Sequence, residues 1–183
     1  LRGRRNNVPP FDGFDLESFW EESEHATKEY VAATPSPAGL AKIEEQLGVK
    51  LPAAYVALAQ RQNGGIPRRT AHRMTERTSW AEDHIGISGI YSIGSAKPCS
   101  LCGQFGSSFW VSEWGYPDIG VYFADCPSAG HDMLCLDYRA CGPLGEPSVV
   151  HVDQELDYKV TRVAPTFEAF VRGLEPDESL NAA

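Results

Sequence analysis

The fold is decided by a stretch that reads PSAGHDMLCLDYRACGPLGEPSVVHVDQE, residues 127–155. Side chains of different character alternate along 132–138 and again along 148–155, which is the pattern of two strands that each bury one face. Glycine and proline residues fill the segment between the two runs, and these residue types are typical of turns. We therefore predict two strands connected through a corner that is built from turn residues.

Four more runs have the β-branched and aromatic composition of strands. They are IGISGIYSIG (85–94), FWVSEW (109–114), IGVYFADC (119–126) and YKVTRVA (158–164). A doubly wound sheet would need helices between its strands, and none is visible in this region. The six runs therefore predict a mainly antiparallel sheet of about six strands.

Helical patterns lie on both sides of the β-rich region. Four helices are predicted, and they begin at Asp15, at Ser36-Pro37, at Pro52 and at Pro165-Thr166. Gly48 should end the second helix and residues 63–65, Asn-Gly-Gly, the third, because these residue types accept a left-handed backbone conformation. Helices first, strands next and a closing helix predict a single α+β domain, with the sheet packed by the N-terminal helices and the C-terminal helix.

Three parts are predicted along the chain. Residues 1–35 form an N-terminal arm with an extra helix, residues 36–175 form the domain, and residues 176–183 form a frayed tail. Residues 66–83 have no clean period and carry four arginines. This segment is interpreted as a loop, either solvated or in contact with a partner or an anion.

The composition narrows the class of protein. The chain has 183 residues and a net charge of −9, and 42% of its residues are hydrophobic, which is ordinary for one globular domain. Such an acidic chain is a poor direct binder of nucleic acid but is suited to a basic protein partner. Neither a membrane-spanning run nor a signal peptide is visible, so the expected location is the cytoplasm.

The cysteines leave one metal hypothesis open. Their number is five, and an odd count in a chain of this size is not typical of a disulfide framework. Cys99 and Cys102 form a single CxxC, and four other residues could complete a tetrahedral zinc site: Cys126, His131, Cys135 and Cys141. Because Cys135 lies in an apolar strand, where a cysteine is usually a small buried side chain, we predict no metal and no other cofactor.

The histidines raise the question of catalysis. If the two strands pair, alternation places His151 and Asp153 on a solvent-facing side of the sheet near Asp137, with His131 and Asp132 in the preceding turn. A metal-dependent hydrolase would use a set from this group, His131, Asp137, His151 and Asp153. However, the chain has neither a GxSxG nucleophile motif nor a glycine-rich phosphate loop, and the prediction is therefore a protein that is not an enzyme.

The helix pair IEEQLGVKLPAAYVALAQRQNGG, residues 43–65, resembles the entry motif of the SUKH superfamily. The resemblance continues through Trp110 and through three further segments. They are EWGYPDIGVYFADCPSAGHDMLCLDYR (113–139), GEPSVVHVDQELDYKV (145–160) and APTFEAFVRGL (164–174). The superfamily contains Smi/Knr-like regulators of cell-wall synthesis and many bacterial immunity proteins.

The resemblance implies an α+β domain that binds another protein. The first expectation is an immunity protein that neutralises a cognate bacterial toxin, often a nuclease, and the alternative is a regulatory adaptor of the Smi/Knr type. The superfamily has no agreed catalytic set, so no catalytic residue is assigned. The expected partner contacts lie mainly at strand ends, and each could serve the fold instead: Glu113, Trp114, Tyr116, Asp118, His131, Asp132, His151, Asp153 and Glu155.

Overall fold

The computed structural model describes residues 7–179, which form five α-helices and eight β-strands. The helices are α1 (Glu24–Glu29), α2 (Pro37–Leu47), α3 (Ala53–Arg61), α4 (Ser107–Trp114) and α5 (Phe167–Arg172). The strands are β1 (Ala71–Arg73), β2 (His84–Gly86), β3 (Gly89–Ile90), β4 (Gly120–Asp125), β5 (Asp132–Asp137), β6 (Ser148–Asp153), β7 (Lys159–Ala164) and β8 (Leu174–Glu175). The predicted single α+β domain is confirmed.

The strands divide into two sheets, and every neighbouring pair is antiparallel. The larger sheet has the order β3-β4-β5-β6-β7, so its strands follow one another along the chain. The smaller sheet has the order β2-β1-β8 and brings the C-terminal strand next to the segment after α3. No helix within residues 7–179 is long and apolar enough to cross a membrane.

The two strands predicted from the opening stretch pair directly, as β5 and β6. Asp132 lies opposite Asp153 and Asp137 lies opposite Ser148, and the turn between the strands spans 138–147. Both faces of the pair are buried, since Met133 faces one side and Leu134 the other, and neither has exposed surface. Sequence alternation therefore predicted the strands correctly but not the environment of their second face.

An aromatic cluster joins α3, β4 and α5 in the core. The Phe167 ring lies 4.5 Å from the ring of Tyr55 and 5.6 Å from that of Phe123, measured between centroids. Phe170 lies 5.6 Å from Phe123 in an edge-to-face contact. The short helix α5 is thus held mainly by packing, because six residues are too few for a stable isolated helix.

The Asn-Gly-Gly segment after α3 connects distant parts of the chain. The Asn63 side chain accepts a hydrogen bond from the Ile93 amide at 2.8 Å and donates to the carbonyls of Ile93 and Ala33 at 2.9 Å. Gly64 has φ +82°, and a Cβ there would lie 2.6 Å from the Tyr30 carbonyl oxygen. The motif therefore has a structural role, although it does not itself end α3: the helix ends at Arg61, where Gln62 takes an extended conformation.

Two predicted elements are wrong. The helix expected from Asp15 begins only at Glu24, because Asp15 caps a separate turn by accepting from the amides of Glu17 and Ser18. The expected strand 109–114 is helix α4, which ends at Gly115 with φ +74°. Such a short apolar run fits a buried strand or a buried helix, and its period alone does not decide between them.

The arginine-rich segment 66–83 is not a loop throughout. Its residues 71–73 form β1, the central strand of the smaller sheet. Arg73 is paired with Glu175 at 3.1 Å, a contact between residues far apart in the sequence. In the predicted frayed tail, Asp177–Ser179 form a turn of 3-10 helix. Residues 180–183 of this tail and residues 1–6 of the predicted arm lie outside the described residues.

Candidate functional site

Buried acidic side chains meet at the end of the larger sheet where β5 begins and β6 ends. Asp132 and Asp153 lie directly opposite each other, with 4% and 1% of their surface exposed, and His151 is completely buried. Two like charges in opposite positions of a sheet destabilise it unless each has a partner. The neighbouring residues show how each carboxylate is compensated.

Each of the two carboxylates has its own partner. The Oδ2 atom of Asp132 lies 2.8 Å from Nε2 of His151, two positions away on the facing strand. The Asp153 carboxylate accepts hydrogen bonds from the Ser79 amide at 2.9 Å and the Ser79 hydroxyl at 2.7 Å. Ser79 lies between β1 and β2, so this buried carboxylate fixes that loop to the end of the larger sheet.

A cysteine completes the buried cluster. Cys126 follows β4, and its sulfur lies within 4.8 Å of ligand-type atoms of Asp132 and His151. Burial, reinforced by the negative charge of Asp132, holds the pKa of the Cys126 thiol well above its usual value. The thiol is therefore protonated at neutral pH when no cation is bound.

The predicted solvent-facing group of His151, Asp153 and Asp137 is wrong. His151 and Asp153 are buried, while Asp137 lies at the opposite end of β5, on the other face, and pairs with Arg139 at 2.7 Å. Asp132, expected in a turn, is the first residue of β5. The structure consequently does not bring together the four residues of the hydrolase hypothesis, His131, Asp137, His151 and Asp153.

Partly exposed side chains lie close to the buried cluster. The His131 Nδ1 atom lies 2.7 Å from Oε1 of Glu155 and 2.8 Å from Oε1 of Gln154. The His131 and Trp114 rings are nearly perpendicular, with 5.7 Å between their centroids. The main-chain carbonyl of Trp114 in turn accepts a hydrogen bond from the Tyr158 hydroxyl, which fixes the end of α4 against the chain that follows β6.

The nine predicted contact residues divide by exposure. Those accessible from solvent are Glu113, Trp114, Asp118, His131 and Glu155. Those that are buried are Tyr116, Asp132, His151 and Asp153. Tyr116 illustrates the buried group, since its hydroxyl donates to the Gly130 carbonyl at 2.6 Å and supports the turn before β5.

Sequence reasoning missed an exposed tryptophan at the same end of the sheet. Trp80 follows Ser79 and is 57% exposed, whereas most large aromatic side chains in this chain are buried. With His84, Ser128 and Asp132, it lines a cavity of about 240 Å³. The sequence feature that could have identified it is the tryptophan itself, because a large apolar ring is unusual in a polar, arginine-rich segment such as 66–83.

The model of the SMI1/KNR4 family (SUKH-1) matches residues 34–173. The chain belongs to this family. The matched range contains the whole larger sheet and the buried cluster at its end. SUKH domains are generally non-catalytic immunity or regulatory domains, and the family suggests action through other proteins. Comparison of the chain with curated proteins finds no match.

The CxxC of this SUKH-1 domain lacks the environment of a redox pair. All five cysteines are free thiols. Burial raises the pKa of Cys99 to about 12 and also raises the pKa of Cys102. Reactive cysteines need the opposite shift, because the thiolate is the nucleophile.

A partly buried carboxyl on β4 gives the domain a pH-dependent stability. The Tyr30 hydroxyl lies 2.8 and 2.9 Å from the two carboxylate oxygens of Asp125, at the end of β4. Burial raises the pKa of Asp125 to about 6, against an ordinary value of 3.8. Because the folded state holds this proton more tightly, the stabilising contribution is complete below pH 3.8 and is lost as the pH rises through 6.

We expect Asp125→Asn to remove this contribution. From about pH 4 to pH 7 the wild type should lose up to about 3 kcal/mol of unfolding free energy relative to the variant. Urea unfolding of both proteins across this pH range measures the difference, and other titrating groups cancel in the comparison. A difference that stays constant with pH would contradict the assignment to Asp125.

Proposed function

We propose that this SUKH-1 domain is a non-catalytic protein-binding domain that neutralises a cognate bacterial toxin, with a nuclease as the class of partner. Family membership supports the binding role. The net charge of −9 supports a basic partner, because a nuclease must present positive charge to the phosphates of its substrate. Opposite charges also accelerate association of the two proteins.

The proposed contact area is the sheet-end surface, defined as Trp80, Glu113, Trp114, His131 and Glu155. This assignment rests on Trp80, whose side chain is 57% exposed. The preceding residue in the same loop, Ser79, is hydrogen-bonded to the buried Asp153. Tryptophan is among the residues that dominate binding energies in interfaces. A fixed loop also loses little conformational freedom when the partner binds.

Neutralisation would follow from occlusion. An interface of about 800 Å² on each partner is sufficient to cover a substrate cleft. On this surface the carboxylates of Glu113 and Glu155 would face basic residues that otherwise bind phosphate groups. His131 holds Glu155 in position through its 2.7 Å contact, so the negative charge is oriented before the partner arrives.

Trp80→Ala is expected to weaken the complex about 30-fold, which corresponds to about 2 kcal/mol for an interface tryptophan. The probe is an inactivated form of the toxin that, under this proposal, a neighbouring gene encodes, and titration calorimetry measures the affinity. Because the ring is mostly exposed, the midpoint of thermal unfolding should not change. Leu144→Ala is the matched control, since Leu144 is 83% exposed in the turn at the opposite end of β5 and β6.

A charge variant tests the electrostatic part of the same proposal. Glu155→Lys should slow association, whereas Glu45→Lys, an equal change of charge on an exposed position of α2, should not. The α2 region lies at the opposite end of β5 from the sheet-end surface. The Lys50 amide, just after α2, donates to the Pro143 carbonyl in the turn after β5 at 2.8 Å. Equal effects of both variants, or no complex with the wild type, would overturn the proposal. A complex without protection of cells would favour the regulatory adaptor.

A further inference from the structure

Three buried side chains with metal-binding chemistry converge from three neighbouring strands. Cys126 follows β4, Asp132 begins β5 and His151 lies within β6. One ligand atom from each lies within 4.8 Å of the other two. The cluster therefore contains one residue that follows β4, one from β5 and one from β6, all at one end of the larger sheet.

Hydrogen bonding leaves part of the cluster unsatisfied. Asp132 Oδ1 and His151 Nδ1 have no hydrogen-bond partner among residues 7–179, although the two residues are 4% and 0% exposed. Folded proteins rarely leave two such atoms in one cluster, and each exception calls for an explanation such as an ion. We propose that Cys126, Asp132 and His151 bind one zinc ion.

The ligand set selects the metal. Thiolate, imidazole and carboxylate are the three side-chain groups that bind zinc, while calcium and magnesium prefer oxygen ligands alone. Tetrahedral zinc would hold these atoms roughly 3.3–3.5 Å apart. The ion would take Oδ1 of Asp132, which has no hydrogen-bond partner among residues 7–179, together with an imidazole nitrogen of His151 and the sulfur of Cys126. Because Oδ2 of Asp132 now lies 2.8 Å from Nε2 of His151 and the three ligand atoms lie within 4.8 Å of one another, binding requires side-chain movements of about an ångström that open this contact.

The charges of the site balance when the ion binds. The S–H bond of Cys126 breaks, its proton passes to water, and a sulfur lone pair binds the ion. The thiolate and the Asp132 carboxylate then neutralise the two positive charges, and His151 binds as neutral imidazole. Asp132 lines the cavity beside Trp80, so water from that cavity would fill the fourth position. No oxidant or reductant is required.

The first test uses zinc ions alone. The full chain, treated with a chelator and then titrated with zinc sulfate, should bind one ion per molecule. Its thermal midpoint should rise by about 5–10 °C at a hundredfold excess over the dissociation constant. Absence of a stoichiometric ion or of this rise would overturn the proposal.

Variants locate the ion. Cys126→Ser should lower the zinc affinity roughly 100-fold or more, because loss of a group that only orients a ligand already costs about 10–100-fold. Cys102→Ser, in the CxxC, should retain the wild-type affinity. With cobalt in place of zinc, the thiolate-to-metal absorption band should be lost only in Cys126→Ser. Retention of the band in that variant would place the ion elsewhere and contradict the proposal.

A further variant covers the case in which Cys126→Ser does not fold. Asp132→Asn keeps the shape of the side chain, removes its negative charge and should also weaken zinc binding. Unchanged affinity in Asp132→Asn would count against the site even without the serine variant. None of these measurements uses a protein partner, so the zinc site and the proposed function stand or fail separately.

Discussion

Replacing Phe167 with alanine is expected to lower the free energy of unfolding by about 3–5 kcal/mol. The ring has no exposed surface and lies 4.5 Å from Tyr55 and 5.6 Å from Phe123, so its loss opens a cavity between α3, β4 and α5. The cavity adds to the lost transfer free energy, because these rings are held by surrounding helices and strands and relax only partly. Urea unfolding followed by circular dichroism measures the change.

Phe14→Ala is the matched control for Phe167→Ala. Phe14 is only half-buried, and its face is covered by the Arg172 guanidinium at 5.4 Å from the ring centroid. Its removal should cost about 1 kcal/mol, because solvent already reaches the site and no closed cavity forms. Equal losses in the two variants would mean that the aromatic cluster is not the centre of the core.

Asn63→Ala should destabilise the domain by about 3 kcal/mol, since three hydrogen bonds disappear and buried backbone groups lose their partners. The affected groups are the amide and carbonyl of Ile93 and the carbonyl of Ala33. Asn63→Asp should be similarly harmful, because a carboxylate accepts from the Ile93 amide but repels the two carbonyls. Thermal and urea unfolding of the purified proteins give the measurement.

The neighbouring Gln62 supplies the control for Asn63. Its side-chain amide donates one hydrogen bond, to the Gly64 carbonyl at 3.0 Å, and the residue is partly exposed. Gln62→Ala should therefore cost less than about 1 kcal/mol. Should both alanine variants lose the same stability, the structural role of the Asn-Gly-Gly segment would be refuted.

Local signals were sufficient for α2 and for strands β5 and β6. Ser36 caps α2, Pro37 begins it and Gly48 ends it at φ +72°, all as predicted. The alternation in β5 and β6 likewise identified both strands. Strand β1 was not predictable in this way, since its residues are held by β2 and β8, and β8 lies about a hundred residues further along the chain.

The candidate site was also only partly predictable, because its contacts join residues that are far apart in the sequence. Proximity of His151 to Asp153 along β6 was predictable. The partner of the buried Asp153 was not, because Ser79 approaches from a loop 74 residues away in sequence. Alternation describes two faces of a strand and does not say whether a second layer covers the polar one. The pairing of Asp132 with His151 and the position of Trp80 therefore required the tertiary structure.

Growth of cells that express the adjacent-gene toxin is the most direct test of the proposed function. Co-expression of this domain should restore growth and yield a co-purified complex. Leu144→Ala should protect as well as the wild type, whereas Trp80→Ala should protect poorly at equal protein levels. Failure of the wild-type domain to protect cells and to co-purify with the toxin would contradict the immunity role, and full protection by Trp80→Ala would contradict the sheet-end surface.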